Sequence, residues 1–528
     1  MYPKNCRIRA SNTQVQKTMI NHIIKTITAL TFLMLPAFVA GQEVAEEKTA
    51  WNYTPIFEEK LCPFEATPEQ LSQIRCSWLT VPENRDKPDG RTLKLAVAVV
   101  SSLSENPEPD PLVYIPGGPG TAGFHLADGF LSSEFRNERE LIFFDPRGVG
   151  LSDPKACTDL TRNWWNASYF SGSEPDELRQ EKLILVNRCK KEIEEKNIDL
   201  SQFNTAANVH DLEYLRKALG YEQWNLWGRS YGSRVALEAM RIFPDPIRSV
   251  VLDGPSPPNV TKWTPDAGNF LDILNHRLAD CKSDPQCNAV LPNLRVKFWS
   301  TFHSLKEDPW IIETGDREIL PQLIVLSEAS FAFAIYSALN RIQTSAMVPL
   351  MIDRFTERDE SFIINLLPRL DRSSERRSWW VHLSVNCFEK LAITEGETSG
   401  GSGSEIELLE EVGFGRDDRI CDTLHPYRID PVHLEPVVSD IPVLILAGEY
   451  DPATHRSYGW ITHETLSRSQ LAEIPGAGHD SAALFPCTLN FFKRFLDDPD
   501  AELDMTCLET MPRTVFVTDP AVVFGSRN

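Results

Sequence analysis

The sequence predicts an α/β fold: a mostly parallel central sheet flanked by helices, carrying an inserted and mainly helical cap. Three observations carry this. Short apolar runs alternate with helical periodicities between Asn208 and Gly254, the alternation vanishes from about Pro255 to Arg377, and it returns from Ile441 to Asp480. The 528 residues, 42% hydrophobic and 24% charged, have an ordinary globular balance that excludes a disordered, collagen-like or multi-spanning chain.

The first segment precedes the fold. Ile27–Ala40 (ITALTFLMLPAFVA) is apolar, uncharged and preceded by Lys17 and Lys25, yet short for a hydrocarbon core of roughly 30 Å. It reads as a secretory signal, with Val39 and Gly41 in the small-residue positions and a mature chain from about Gln42. Met19 is a second candidate initiator, and a retained N-terminal anchor is the alternative reading. Five of the 53 basic residues and none of the 75 acidic ones lie in residues 1–41, so the formal charge of −22 becomes −27 after cleavage. Such a surface repels a phosphate backbone, which excludes nucleic acid as a partner. No stable membrane insertion is expected once the signal is removed.

Ten cysteines follow the signal, from Cys62 to Cys507, and an even number fits five disulfides in an oxidising compartment. Pairing neighbours in order gives short loops such as Cys281–Cys287, but spacing alone does not fix the connectivity, and scattered buried thiols are the alternative. There is no CxxC pair and no HExxH, so no metal is expected. Without GxxxxGK[ST], no cofactor is expected either.

The elements then follow in order. Leu93–Val100, Pro111–Gly117 and Glu140–Gly148 are apolar runs ending in Gly/Pro turns, the pattern of buried strands. Val209, Leu212, Leu215 and Leu219 mark a helix over Asn208–Leu219, stopped by Gly220. Trp224–Gly228 reads as a strand, Ser233–Phe243 as a helix and Ile247–Gly254 as a strand. Phe270–Leu278 and Phe331–Leu339 are apolar helical stretches of the cap, and Thr398–Glu405 is a Gly/Ser-rich surface connection. Ile441–Thr454 and Gln470–Asp480 resume the strands, and Asn490–Asp498 closes with a helix. The domain reading is a signal peptide (1–41), the N-terminal part of the core (42–257), the cap (258–377) and the C-terminal part of the core (378–528).

Gly228-Arg229-Ser230-Tyr231-Gly232 is a G-x-S-x-G motif between a strand and a helix, where small flanking residues permit a sharp turn that lifts the hydroxyl clear. A serine hydroxyl needs a base oriented by a carboxylate. Asp451 follows a strand inside Gly448–Pro452, and His479 follows another inside Gly476–Asp480. A turn aspartate and a surface-loop histidine are the plainer readings. The chain order Ser, Asp, His is that of α/β-hydrolases. Acyl transfer also needs oxyanion donors, for which the amides of Gly118, in Pro116–Gly120, and of Tyr231 are the candidates. A plain tight turn is the alternative for the glycine loop.

Together Gly117–Gly120, Asp145–Asp153, Gly228–Gly232, Gly448–Thr454 and Gly476–His479 resemble the proline iminopeptidase and tripeptidyl aminopeptidase group of α/β-hydrolases, serine peptidase family S33, and most closely its secreted TAP-like branch. The resemblance spans about residues 75–507. It implies a serine exopeptidase acting on peptides with a free N-terminus, with Ser230 as nucleophile, His479 as general base and acid, and Asp451 as its orienter. It also implies a helical cap and a C-terminal segment around Asn386–Cys507. Two departures matter. Pro116 stands where many relatives have His, and the acidic residue that binds the substrate ammonium in relatives has only Glu389 as a candidate, a solvated Glu being as good a reading. Without such a carboxylate the same core would serve an esterase acting on esters or small amides. The sequence leaves the oligomeric state open, and the sequons at Asn52, Asn166 and Asn259 carry meaning only in a host that glycosylates exported proteins.

Overall fold

Alternating side chains sort onto the two faces of one nine-stranded sheet in the computed structural model. The structure describes residues 54–524 apart from 171–174, 261–265, 315–322, 371–376, 391–402, 415–417, 425–426, 428, 480–482, 484 and 512–514. The expected signal segment, residues 398–402 of the Gly/Ser connection and Asp480 lie outside the described residues.

Strands β1 (Ile56–Lys60), β2 (Ile74–Pro82), β3 (Thr92–Val100), β4 (Leu112–Ile115), β5 (Leu141–Phe144), β6 (Trp224–Arg229) and β7 (Ile247–Asp253) are joined by β10 (Val443–Gly448) and β11 (Ser469–Ile474). The spatial order is β1-β2-β3-β5-β4-β6-β7-β10-β11. The first three pairings, through β3 with β5, are antiparallel and all later ones are parallel. Along β3, Leu93, Leu95, Val97 and Val99 enter one apolar cluster while Ala96, Ala98 and Val100 enter another. Leu226 and Trp227 of β6, and Ile445 and Leu446 of β10, divide the same way. The two-residue period therefore buries both faces, as a sheet covered on each side requires.

A short helix, α1 (Pro68–Leu71), precedes β2. Helices α2 (Thr158–Phe170), α3 (Pro175–Glu195) and α4 (Thr205–Leu219) lie between β5 and β6. The last begins three residues before its apolar periodicity, because the Asn204 side chain accepts from the Ala207 N–H at 2.9 Å. Gly220 ends it at φ 81°. Helix α5 (Tyr231–Ile242) follows β6 directly.

Between β7 and β10 come α6 (Ala267–Ser283), α7 (Pro285–Val290), α8 (Leu294–Glu307), the antiparallel pair β8 (Trp310–Glu313) and β9 (Leu323–Leu326), and α9 (Glu328–Leu339). They are followed by α10 (Ile342–Ser345), α11 (Val348–Thr356), α12 (Glu360–Leu366), α13 (Trp379–Lys390), α14 (Ser404–Glu411) and α15 (Asp418–Leu424). Most of this segment shares its own apolar cluster, which also takes in Leu409, Val412 and Phe414. Helix α13 returns to the sheet: Trp380, Val381, Leu383 and Val385 join the core beneath it. The cap thus resumes after α13 instead of ending at residue 377. Its first helix bears on the chain just after β10: Asp280 accepts from Tyr450, the Arg277 guanidinium lies 3.5 Å above the Tyr450 ring, and Asn269 donates at 2.8 Å to the hydroxyl of Tyr458, in the helix that follows. Helices α16 (Ser457–His463) and α17 (Pro486–Asp497) complete the core.

Five disulfides join consecutive cysteines: Cys62–Cys76, Cys157–Cys189, Cys281–Cys287, Cys387–Cys421 and Cys487–Cys507. Among the described residues no helix is long and apolar enough to cross a membrane.

Candidate active site

Because β6, β7, β10 and β11 are parallel neighbours, their carboxyl ends open on one edge of the sheet, and Ser230, Asp451 and His479 all follow such ends. Ser230 bridges β6 and α5 at φ 55° and ψ −125°, a conformation that non-glycine residues seldom hold. It is over-determined there. Its N–H donates to the Asp253 carbonyl at 2.8 Å, and its own carbonyl accepts from the Ser233 N–H (2.9 Å) and hydroxyl (2.5 Å). The flanking glycines supply room: a Cβ on Gly228 would lie 2.4 Å from the Gly232 carbonyl oxygen, and one on Gly232 would lie 2.1 Å from that of Ile115.

His479 Nε2 lies 2.9 Å from Ser230 Oγ, and its Nδ1 lies 2.8 Å from Asp451 Oδ2. Asp451 is buried and fully satisfied. Oδ1 accepts from the Ala453 (2.8 Å) and Thr454 (2.7 Å) amides, and Oδ2 accepts from the Thr454 hydroxyl at 2.7 Å. Burial alone would push its carboxyl up, but the His479 ring and the Thr454 donors outweigh that and hold it below the ordinary carboxylate range. The Arg229 guanidinium donates to the His479 carbonyl at 2.5 Å, fixing the loop that presents the ring. This continuous chain of bonds can take a proton from Ser230 and return it to a leaving group.

The glycine loop after β4 presses on Ser230. A Cβ on Gly117 would lie 2.8 Å from Ser230 Cβ, and Gly118 holds φ 113°, accessible chiefly to glycine. Tyr231 is the first residue of α5, so its amide is one of the first-turn donors without an intrahelical acceptor. Gly117 thus packs against Ser230 on one side, and Tyr231 opens α5 on the other.

Glu389 requires correction. It is only 2% exposed, and both oxygens are engaged: Oε1 accepts from the Thr205 N–H at 2.7 Å, and Oε2 pairs with Arg234 Nε at 2.9 Å. It offers no free carboxylate to an ammonium group, nor is it solvated. Two further residues act here: Thr454, within the Gly448–Thr454 segment, and Arg229, within G-x-S-x-G. Neither has a role visible without its partner. Among the described residues no cluster of His, Cys, Asp and Glu is arranged to hold a metal ion.

The family model of the alpha/beta hydrolase fold matches residues 110–288, and that of TAP-like proteins matches residues 413–507. The chain has the alpha/beta hydrolase fold, and its C-terminal part is similar to TAP-like proteins. Three curated proteins are similar to it. It is 26% identical to the serine protease Hip1 of Mycobacterium tuberculosis over 440 residues, 76% of this chain and 81% of that one. It is 33% identical to the tripeptidyl aminopeptidase of Streptomyces lividans over 190 residues, 34% of this chain and 35% of that one. It is 26% identical to carboxylesterase B of Mycobacterium tuberculosis over 290 residues, 52% of each chain.

Proposed function

We propose that the protein is an exported serine exopeptidase that releases residues from peptides with a free N-terminus. The observation that carries the reading is the bonded series Ser230–His479–Asp451, at 2.9 and 2.8 Å. Ser230 Oγ attacks the scissile carbonyl as His479 Nε2 takes its proton, while Asp451 holds the ring's tautomer and stabilises the imidazolium. The amides of Gly118 and Tyr231 receive the developing oxyanion. Collapse expels the shortened peptide, whose amine takes the proton from His479, and leaves an acyl group on Ser230. Water activated by His479 then releases it.

The names of two relatives, a serine protease and a tripeptidyl aminopeptidase, support peptides as substrates. Five disulfides and the apolar Ile27–Ala40 segment support export to the periplasm or the medium. The engagement of Glu389 and the similarity to a carboxylesterase favour a second reading, hydrolysis of esters or small amides. One panel separates the two: Ala-Ala-Pro-anilide with a free amine, the same compound acetylated, single-residue Pro- and Ala-anilides, and an aryl ester. Turnover confined to free-amine substrates is expected, and the preferred length names the exopeptidase. Equal rates after acetylation, or reaction of esters alone, reject it. Ser230→Ala should abolish both turnover and fluorophosphonate labelling while leaving the thermal midpoint unchanged.

A further inference from the structure

Helix α13 and its N-terminal flank carry a polar stripe at helical spacing, Ser378, His382, Asn386 and Glu389, in which His382 and Asn386 are 3% and 7% exposed. Polar groups buried this deeply lose water and must find partners. Those partners lie on both sides of the nucleophile.

At the C-terminal end, Glu389 binds Arg234 in the first turn of α5, the helix that Ser230 opens. At the N-terminal end, the Ser378 N–H donates to the Gly120 carbonyl at 2.8 Å, and a Cβ on Gly120 would come within 2.5 Å of the Ser378 carbonyl oxygen. Between them, His382 Nδ1 lies 3.2 Å from the Pro119 carbonyl oxygen, and its Nε2 lies 3.1 Å from Asn386 Nδ2. Asn386 Nδ2 also donates to the His382 carbonyl at 2.9 Å, so its two hydrogens serve two acceptors.

The partners settle the tautomer. A carbonyl oxygen only accepts, so Nδ1 must carry the hydrogen; an amide NH2 only donates, so Nε2 must be bare. His382 is therefore a neutral ring whose single N–H is aimed at residue 119, next to Gly118 and two residues from Gly117, the glycine packed against Ser230.

Resting on the acyl-transfer reading above, we infer that His382 is a positioning residue for the oxyanion loop. Its Nδ1–H holds the Pro119 carbonyl, and thereby keeps the Gly117–Gly120 turn at the distance from Ser230 at which the Gly118 amide meets the tetrahedral oxygen. Asn386 maintains the tautomer that makes this bond. The contact does nothing for a planar ground-state carbonyl, so its loss belongs in kcat and not in KM.

The test uses the full mature protein with its disulfides intact, assayed per fluorophosphonate-titrated site on whichever substrate the panel selects. His382→Ala is expected to lower kcat about 10- to 100-fold, the scale of a misplaced oxyanion donor, with KM nearly constant. His382→Asn, whose amide nitrogen can occupy the Nδ1 position, should recover most of that loss. Asn386→Leu should lie between them. A peptidyl boronate, which forms a tetrahedral adduct, should weaken in parallel with kcat across the series.

Wild-type kcat in folded His382→Ala overturns the inference, as does an equal loss in the Ala and Asn variants, because either result removes the donor from the account. A change in KM alone overturns it too. If the wild-type protein neither labels with fluorophosphonate nor turns over any acyl substrate, the acyl-transfer reading itself fails, and the positioning role fails with it.

Discussion

Asp451 joins a buried carboxylate to a ring whose protonation pattern decides the chemistry, so its replacement isolates electrostatics from shape. Asp451→Asn keeps the volume but presents an NH2 that favours the wrong His479 tautomer. We expect kcat/KM to fall about 10⁴-fold with unchanged far-UV circular dichroism. Thr454→Val removes one donor to Oδ2 and should cost less, about tenfold, on the scale of one hydrogen bond to a charged group. Its pH signature follows from linkage. The Asp451 carboxyl is depressed in the fold, so its contribution to stability is present above the unfolded carboxylate range, near about 3.9, and is lost as pH falls through the folded value. Losing the hydroxyl raises that value, so acid unfolding of Thr454→Val should begin at a higher pH, read by tryptophan fluorescence. Single residues also mark where reading from sequence stops. Ser230, Asp451 and His479 each follow an apolar run, so their placement at a strand end is a local property. The fate of Glu389 depends on Thr205, 184 positions away, and on Arg234. Charge is visible in a sequence, but its neutraliser is not.

Strands are legible where an apolar run ends in a Gly/Pro turn; β2, with seven of nine residues buried but no such run, is not singled out. The apolar runs of β3 to β7, β10 and β11 mark themselves. Strand β1, IFEEK, has three of its five residues exposed and carries Glu58, Glu59 and Lys60. Charge of this kind protects a sheet edge and erases the strand's signature at the same time. The four-residue strands β8 and β9 are likewise too short for a period to register among helices. Helix α5 offers a test at this scale. Buried Glu238 accepts from His433, in the turn before β10, and from Arg241. The bond to Glu238 raises the His433 ring above its ordinary value despite partial burial. Its stabilising effect is therefore complete below the unfolded value of about 6.5 and lost as pH rises through the folded one. The difference in thermal midpoint between the wild type and His433→Gln should be largest in mildly acidic buffer and shrink above neutrality. A constant difference would exclude the pairing.

Across the whole molecule the five bridges close loops of very different size, with sequence separations from 6 (Cys281–Cys287) to 34 (Cys387–Cys421). Chain-entropy arguments assign about 2.4 kcal/mol to the smallest and about 3.8 kcal/mol to the largest. The Cys387→Ala/Cys421→Ala pair should therefore lower the urea midpoint more than Cys281→Ala/Cys287→Ala does. It also frees α13, so its activity should fall more than its stability. The order of parts along the sheet has a further consequence. Ser230 and the ring that activates it are 249 residues apart, and β10 and β11 must dock before His479 arrives. A nascent chain leaving the ribosome therefore displays its nucleophile long before it owns a base. On the acyl-transfer reading proposed above, a chain whose last strands have not yet folded cannot perform the reaction.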